Sequence, residues 1–324
     1  MYLNWYNIVI SINKYISLEV MMKKRERTYH TYRVMVALHE QIGMFDDDYS
    51  GMKATEVRHS IFSKVYTDLI QRNRIQIYLK DKVYYLFVSR ELRPGVLLCK
   101  LAKEEELKLY KLSNDEYPQH DIEEIVFENF PFVRVIIHLE NQAFLVEKNT
   151  TKFHNTDQCA KIVEQLFIDL MLKYNANVNV YAVTESGSFW KSYKTMDKVT
   201  KLKITINSPN LFEAKDKAEE IAQDFKDETN AQKTEIEFEN KENGLKIKEY
   251  SDTNKGVAKF LTYIQNGGGK WSLHGNKKGK KSDVHSGDNK TVVNLPQILD
   301  KAEGILERIE DAVKIRAKGN ENKE

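Results

Sequence analysis

The 324-residue chain is 41% hydrophobic and 30% charged, and its formal net charge is +2. That is the composition of a folded, core-forming protein and excludes an intrinsically disordered one. Near-balanced charge also excludes a protein that is basic or acidic as a whole, so any attraction for polyanions must come from local clustering.

The opening MYLNWYNIVISINKYISLEV is apolar but interrupted by Asn4, Asn7, Asn13, Lys14 and Glu19. It has no basic leader, no unbroken apolar run of about 20 residues and no small-residue cleavage site, which argues against a signal peptide and a membrane span. Residues 1–21 read as a peripheral or non-native extension ahead of a second candidate start at Met21 or Met22.

From Thr28 to Leu38 the β-branched and aromatic run TYHTYRVMVAL predicts a strand. Asp46, Asp47 and Asp48 lack the alternating oxygen ligands of a calcium loop and read as a solvated loop. In KATEVRHSIFSKVYTDLIQRN, Val57, Ile61, Val65, Leu69 and Ile70 recur at helical spacing. RIQIYLK and KVYYLFVSREL then form a hairpin turning at Asp81. Tyr85 and Phe87 share one face of it, with Tyr84 on the other, and core packing is the favoured use of these rings.

GVLLCKLAKEEELKLYKL reads as two strands, because Leu107, Leu109 and Leu112 hold no single helical face. Pro131 interrupts the next stretch, and FVRVIIHL and AFLVEK follow as strands around the turn ENQ. Cys99 and Cys159 sit in apolar runs without metal-ligand spacing and read as reduced core residues.

A helix over Asp157–Tyr174 is expected to bury Ile162, Leu166, Ile168, Leu170 and Met171. VNVYAVTES is a strand, SFWKSYKTMDKV a short helix capped by Ser186 or Ser188, and KLKITIN another strand. Phe189, Trp190 and Tyr193 read as core anchors of that helix. Ser208 and Pro209 mark the start of a further helix, LFEAKDKAEEIAQDFKDE. KTEIEFEN alternates strictly, with one buried face and one row of carboxylates. A helix from about Thr253 ends at the Gly267–Gly269 run, KTVVNLP is a strand, and a final amphipathic helix carries Ile298, Leu299, Ala302, Ile305, Leu306, Ile309 and Val313 on one side.

These elements predict an α+β protein of mixed sheets with helices on one face, and a ferredoxin-like arrangement is one candidate for its central domain. The expected division is an N-terminal α+β domain over 1–130, a central α+β domain over 131–250, and a C-terminal part over 251–324 holding a helix, a basic Gly/Lys loop, the final helix and a disordered tail.

The loop GGGKWSLHGNKKGKKSDVHSG gathers the chemistry. Its glycines would let backbone N–H groups approach a phosphate, Lys270, Lys277, Lys278, Lys280 and Lys281 would neutralise backbone charge, and Trp271 would stack on a base. Walker A spacing is absent. His274, Asp283 and His285 are suitable metal ligands, but their spacing is unspecific and no metal is assigned. Glu239 and Lys241 follow the E-x-K order that metal-dependent nucleases use to hold Mg²⁺, without the upstream acidic partner such a site needs, and are the candidate catalytic pair. No Ser–His–Asp, Cys–His or dinucleotide pattern stands at a usable position, and the sequence identifies no cofactor.

The runs FENFPFVRVIIHLENQAFLVEKN, VNVYAVTESGSFWKSYKTMDKVTKLKITINSPNLF and NGLKIKEYSDTNKGVAKFLTYIQNGGGKWSLHG set out aromatic, proline and glycine landmarks. In the order of these landmarks, the chain from Thr28 to Pro296 resembles a bacterial family of unknown function whose members tend to sit in phage-defence and mobile-element loci. The resemblance implies a cytoplasmic defence component, one subunit of a two-gene system, and carries no functional residues. The expectation is thus an anti-phage component, with no membrane association, that binds DNA or RNA through the Gly/Lys loop and pairs with a partner protein or with itself through the final helix. The alternatives are a metal-dependent nuclease or toxin effector, and a structural adaptor subunit.

Overall fold

The computed structural model of the protein describes residues 26–38, 52, 54–112, 122–207, 231, 233–249, 256–297, 299 and 303–314. The N-terminal extension, the aspartates at 46–48, the helix expected after Ser208 and the chain's last residues lie outside them.

Strand β1 (Glu26–Leu38) is the seam of the molecule. One of its edges pairs with β8 (Ala143–Glu147) through Tyr29–Arg33. The other edge takes two strands in succession, β14 (Val292–Pro296) against Glu26–His30 and β9 (Ala176–Ala182) against Tyr32–Leu38. Beyond β8 the sheet continues through β7 (Phe132–His138), β4 (Val96–Lys103), β3 (Lys82–Arg93) and β2 (Arg74–Leu79), giving eight strands. Every strand pairing among the described residues is antiparallel, where mixed sheets were expected.

Helices α1 (Ala54–Arg72) and α2 (Thr156–Met171) cover one face of this sheet. Ile61, Phe62, Val65 and Leu69 of α1 and Ile162, Val163, Leu166 and Phe167 of α2 meet Val34, Leu86, Leu101, Val135 and Phe144 in the main core. Each such side chain contributes about 1.5–3 kcal/mol by leaving water. Cys99 and Cys159 are free and buried here, and burial pushes both thiols up to about 12.

The opposite face is covered as well, so the helices do not share one side. Helix α5 (Glu303–Val313) lays Ile305, Ile309, Ala312 and Val313 onto Tyr29, Leu92, Val96, Ile136 and Leu145. Of the two uses open to this apolar side, docking on its own domain and pairing with a partner or a second copy, it serves the first. His138, buried in β7, meets the Glu310 carboxylate of α5 at 3.0 Å, and Arg93 pairs with the same carboxylate.

A second sheet orders as β11 (Lys233–Glu239), β10 (Lys198–Asn207), β12 (Gly269–Lys277) and β13 (Lys280–His285). Its inner face, Leu202, Ile204, Ile206, Trp271 and Leu273, packs against α3 (Ser188–Lys194), α4 (Ala258–Tyr263) and Met35 of β1. Helix α3 has no serine cap. Its N-cap is Gly187 at φ 66°, a conformation open to glycine at little cost. A two-stranded ribbon, β5 (Glu105–Leu112) and β6 (Ile122–Asn129), completes the fold.

Residue 130 is no boundary, because β4 pairs with β7 and β1 with β8 across it. Residue 250 is none either, since β10 pairs with β12. The expected three-part division gives way to three hydrophobic clusters that all include residues of β1, and the strand orders do not reproduce a ferredoxin-like domain.

Candidate functional site

The Gly/Lys stretch folds as a hairpin. Alternation turns Trp271 and Leu273 inward and leaves Lys270, Ser272 and His274 on the other face of β12. Strand β12 lies so close to β10 that a Cβ at Gly269 or Gly275 would sit 2.0 Å from the carbonyl oxygen of Thr205 or Lys198. These two glycines serve strand contact instead of cradling a phosphate. At the tip, Lys277 faces Lys280, and Lys278 and Gly279 both take positive φ, 51° and 71°, as a two-residue type I′ turn requires. The Gly279 N–H donates to Asp197 Oδ2 at 3.1 Å and holds the turn.

This turn gathers Lys277, Lys278, Lys280 and Lys281, all exposed. Among the described residues none of these four ammonium groups makes an ion pair. Lys198 lies across from Asn276, and its Nζ donates to the Glu242 carbonyl at 2.6 Å. The tip is the one place where the four lysines read from the sequence stand together. Lys270 is elsewhere, near the far end of β12, facing Thr205 across the sheet.

Trp271 does not belong to this surface. It is 2% exposed and meets the Phe189 ring edge-on at 5.3 Å between centroids, inside the second core. Stacking on a base is closed to it.

The polar face of the second sheet is a ladder of opposite charges. Lys203 and Lys233 both pair with Glu235, at 2.6 and 2.7 Å, and hold its carboxyl down at about 2. Lys201 pairs with Glu237 at 2.9 Å and with Glu239 at 3.4 Å, and Lys241 reaches Glu239 at 3.4 Å. The expected nuclease pair is thus a rung of this ladder, its carboxylate held by two ammonium groups. Among the described residues no group of three His, Cys, Asp or Glu side chains gathers as a metal site would.

A cleft of about 790 Å³ separates this face from α2 and β9. Lys161 and Glu164 of α2, Asn179 and Tyr181 of β9, and Lys203, Thr205, Lys270 and Ser272 of the sheet line it. Burial raises the Glu164 carboxyl, against the Val180 N–H that donates to it at 2.7 Å. At one end, Tyr32 donates its hydroxyl toward Asp157 Oδ1 at 3.0 Å, and Lys290 Nζ donates to Asp157 Oδ2 at 2.9 Å.

Ser272, His274 and Asp283 form a constellation the sequence reading passed over. His274 Nδ1 lies 2.8 Å from Asp283 Oδ1, and His274 Nε2 lies 3.2 Å from Ser272 Oγ. The signal was present as the i, i+2 spacing of Ser272 and His274 on one strand face. Asp283 joins them only through the cross-strand register that pairs it with His274.

Residues 55–294, from α1 to β14, match the family described as Domain of unknown function (DUF4747). The chain belongs to the DUF4747 family. The DUF4747 segment contains the second sheet, the whole β12–β13 hairpin and the cleft lining apart from Tyr32, and stops short of β1 and α5. No curated protein and no solved structure matches the chain. No helix among the described residues is long and apolar enough to cross a membrane.

Proposed function

We propose that this DUF4747 protein is a cytoplasmic anti-phage component that binds nucleic acid by gripping the phosphate backbone with the β12–β13 tip. One observation carries the binding: four exposed ammonium groups crowd a two-residue turn, without an ion pair among the described residues, in a chain whose charge is otherwise balanced. Bringing like charges this close is unfavourable in the free protein and is relieved when phosphates replace condensed counterions. A turn held by Asp197 offers them as a preformed projection. The defence setting is the one the sequence resemblance implies. A partner protein from the same setting would use a surface other than the apolar side of α5, which is already occupied.

Backbone contacts carry no base code, so binding is expected to be indifferent to sequence. Fluorescence polarisation of labelled duplex and single-stranded oligonucleotides tests the proposal. Joint substitution of Lys277, Lys278, Lys280 and Lys281 by Glu should weaken binding at least 100-fold with the fold intact. Equal affinity of wild type and variant would remove it.

A further inference from the structure

Three polar side chains on the β12–β13 hairpin, away from the lysine tip, are arranged for nucleophilic chemistry. Ser272 and His274 lie on the same face of β12, and Asp283 faces His274 across the pair. The Asp283 carboxylate at 2.8 Å accepts the Nδ1 proton and so fixes the imidazole tautomer, leaving Nε2 as a lone pair 3.2 Å from Ser272 Oγ. A nucleophile within reach of a base, and that base oriented by a third group, is the arrangement that activates a serine hydroxyl. Ser272 lines the 790 Å³ cleft, and so do Lys270 and His285.

We infer that Ser272 is the nucleophile of an acyl-transfer site, with His274 as its general base and Asp283 as the residue positioning His274. Lys270 stands two residues before Ser272 on the same strand face, about 7 Å along the strand, and has no ion pair among the described residues. Its ammonium group suits a substrate that carries an anionic group beside the acyl bond and can offset charge developing on the carbonyl oxygen. The substrate class is therefore an activated ester of an anionic acyl or alcohol component. In the first step Ser272 Oγ attacks the carbonyl carbon, the Oγ proton passes to His274 Nε2, and the bond from carbon to the leaving oxygen breaks. That oxygen takes the proton from His274. Water, deprotonated by His274, then releases the acid and restores Ser272, so no oxidant or further reactant enters. The inference is independent of nucleic-acid binding at the tip, which uses none of these side chains.

A fluorophosphonate probe tests it with no substrate known. Intact mass and peptide mapping should find one adduct per chain, on Ser272. The labelling rate should be higher at neutral pH than in acid. Ser272→Ala should remove the adduct. His274→Gln should slow labelling at least 10-fold and flatten its pH profile, and Asp283→Asn should slow it less than His274→Gln does. Thermal melts of the Gln and Asn variants keep the comparison free of misfolding, because both substitutions preserve polarity at a half-exposed hairpin. Absence of an adduct at Ser272 after prolonged excess of probe, or labelling as fast in His274→Gln as in wild type, would overturn the assignment.

Discussion

Arg33 Nη2 donates to the carbonyl oxygen of Val313 at 2.9 Å, tying β1 to the last turn of α5. The same guanidinium is wholly buried and donates from Nε to Asn266 O at 2.5 Å and from Nη1 to Asn141 O at 2.6 Å. It thus meets three segments that come together only in the folded chain, and its charge sits at a helix C-terminus, where a cation is favoured. Burial pulls the group down to about 10, which leaves it charged at neutral pH.

Replacing Arg33 with Met should therefore strand three carbonyls and cost about 3 kcal/mol or more. Urea denaturation measures this, and Arg33→Lys should recover only part of the loss, since one ammonium nitrogen cannot reach carbonyls spaced to meet three separate guanidinium nitrogens. A loss under about 1 kcal/mol for Arg33→Met would deny the clamp.

Gly275 and Gly279 lie four residues apart, yet their substitutions should differ. A methyl group at Gly275 meets the Lys198 carbonyl at 2.0 Å, so Gly275→Ala has to push β12 away from β10 and should cost about 2 kcal/mol or more. At Gly279 nothing lies within 4 Å, and Gly279→Ala should cost only the left-handed backbone, about 1 kcal/mol. Parallel thermal melts check the order.

Most individual elements were legible in the sequence because their signals are local. Alternation marked β11, helical spacing marked α1, and the apolar run around Pro131 marked β7 and β8. What escaped was pairing between distant segments. Nothing in TYHTYRVMVAL says that Thr28 will face Asn294 or that Tyr32 will face Ala182, and without those registers the cut at 130 looked natural. The hairpin shows the same limit at the site. Glycine and lysine content marked a basic loop built to approach phosphates, whereas close packing on β10 demands Gly269 and Gly275, and the positive-φ turn accounts for Gly279. Trp271 looked like a stacking platform until strand alternation turned it inward.

Acid should loosen the molecule through His138. Burial, then the charges of Arg93 and Arg33, lower its imidazole to about 4, although the Glu310 carboxylate faces it at 3.0 Å and Asn141 donates its backbone N–H to Nδ1 at 3.3 Å. With the folded value below the ordinary 6.5, the stability tied to neutral His138 is fully present above about pH 6.5 and is lost as pH falls toward 4. His30, lowered to about 4 mainly by burial, adds to the same trend. Melting temperature between pH 7.5 and 4.5 should fall more steeply for wild type than for His138→Gln.

Ile309 of α5 is fully buried against the sheet, so Ile309→Ala should cost about 2–5 kcal/mol while leaving the mass in solution unchanged. Light scattering coupled to size exclusion reads the mass. A shift to smaller particles would mean that this side of α5 also holds two chains together.

The most direct test of phosphate gripping at the hairpin tip is the slope of log affinity against log salt for a duplex oligonucleotide. Each phosphate neutralised contributes about −0.9 to that slope, or about −0.7 on a single strand. Exchanging Lys277, Lys278, Lys280 and Lys281 for Gln should make it shallower by about 3.6 on the duplex. An unchanged slope in the quadruple variant would contradict nucleic-acid binding through these four side chains.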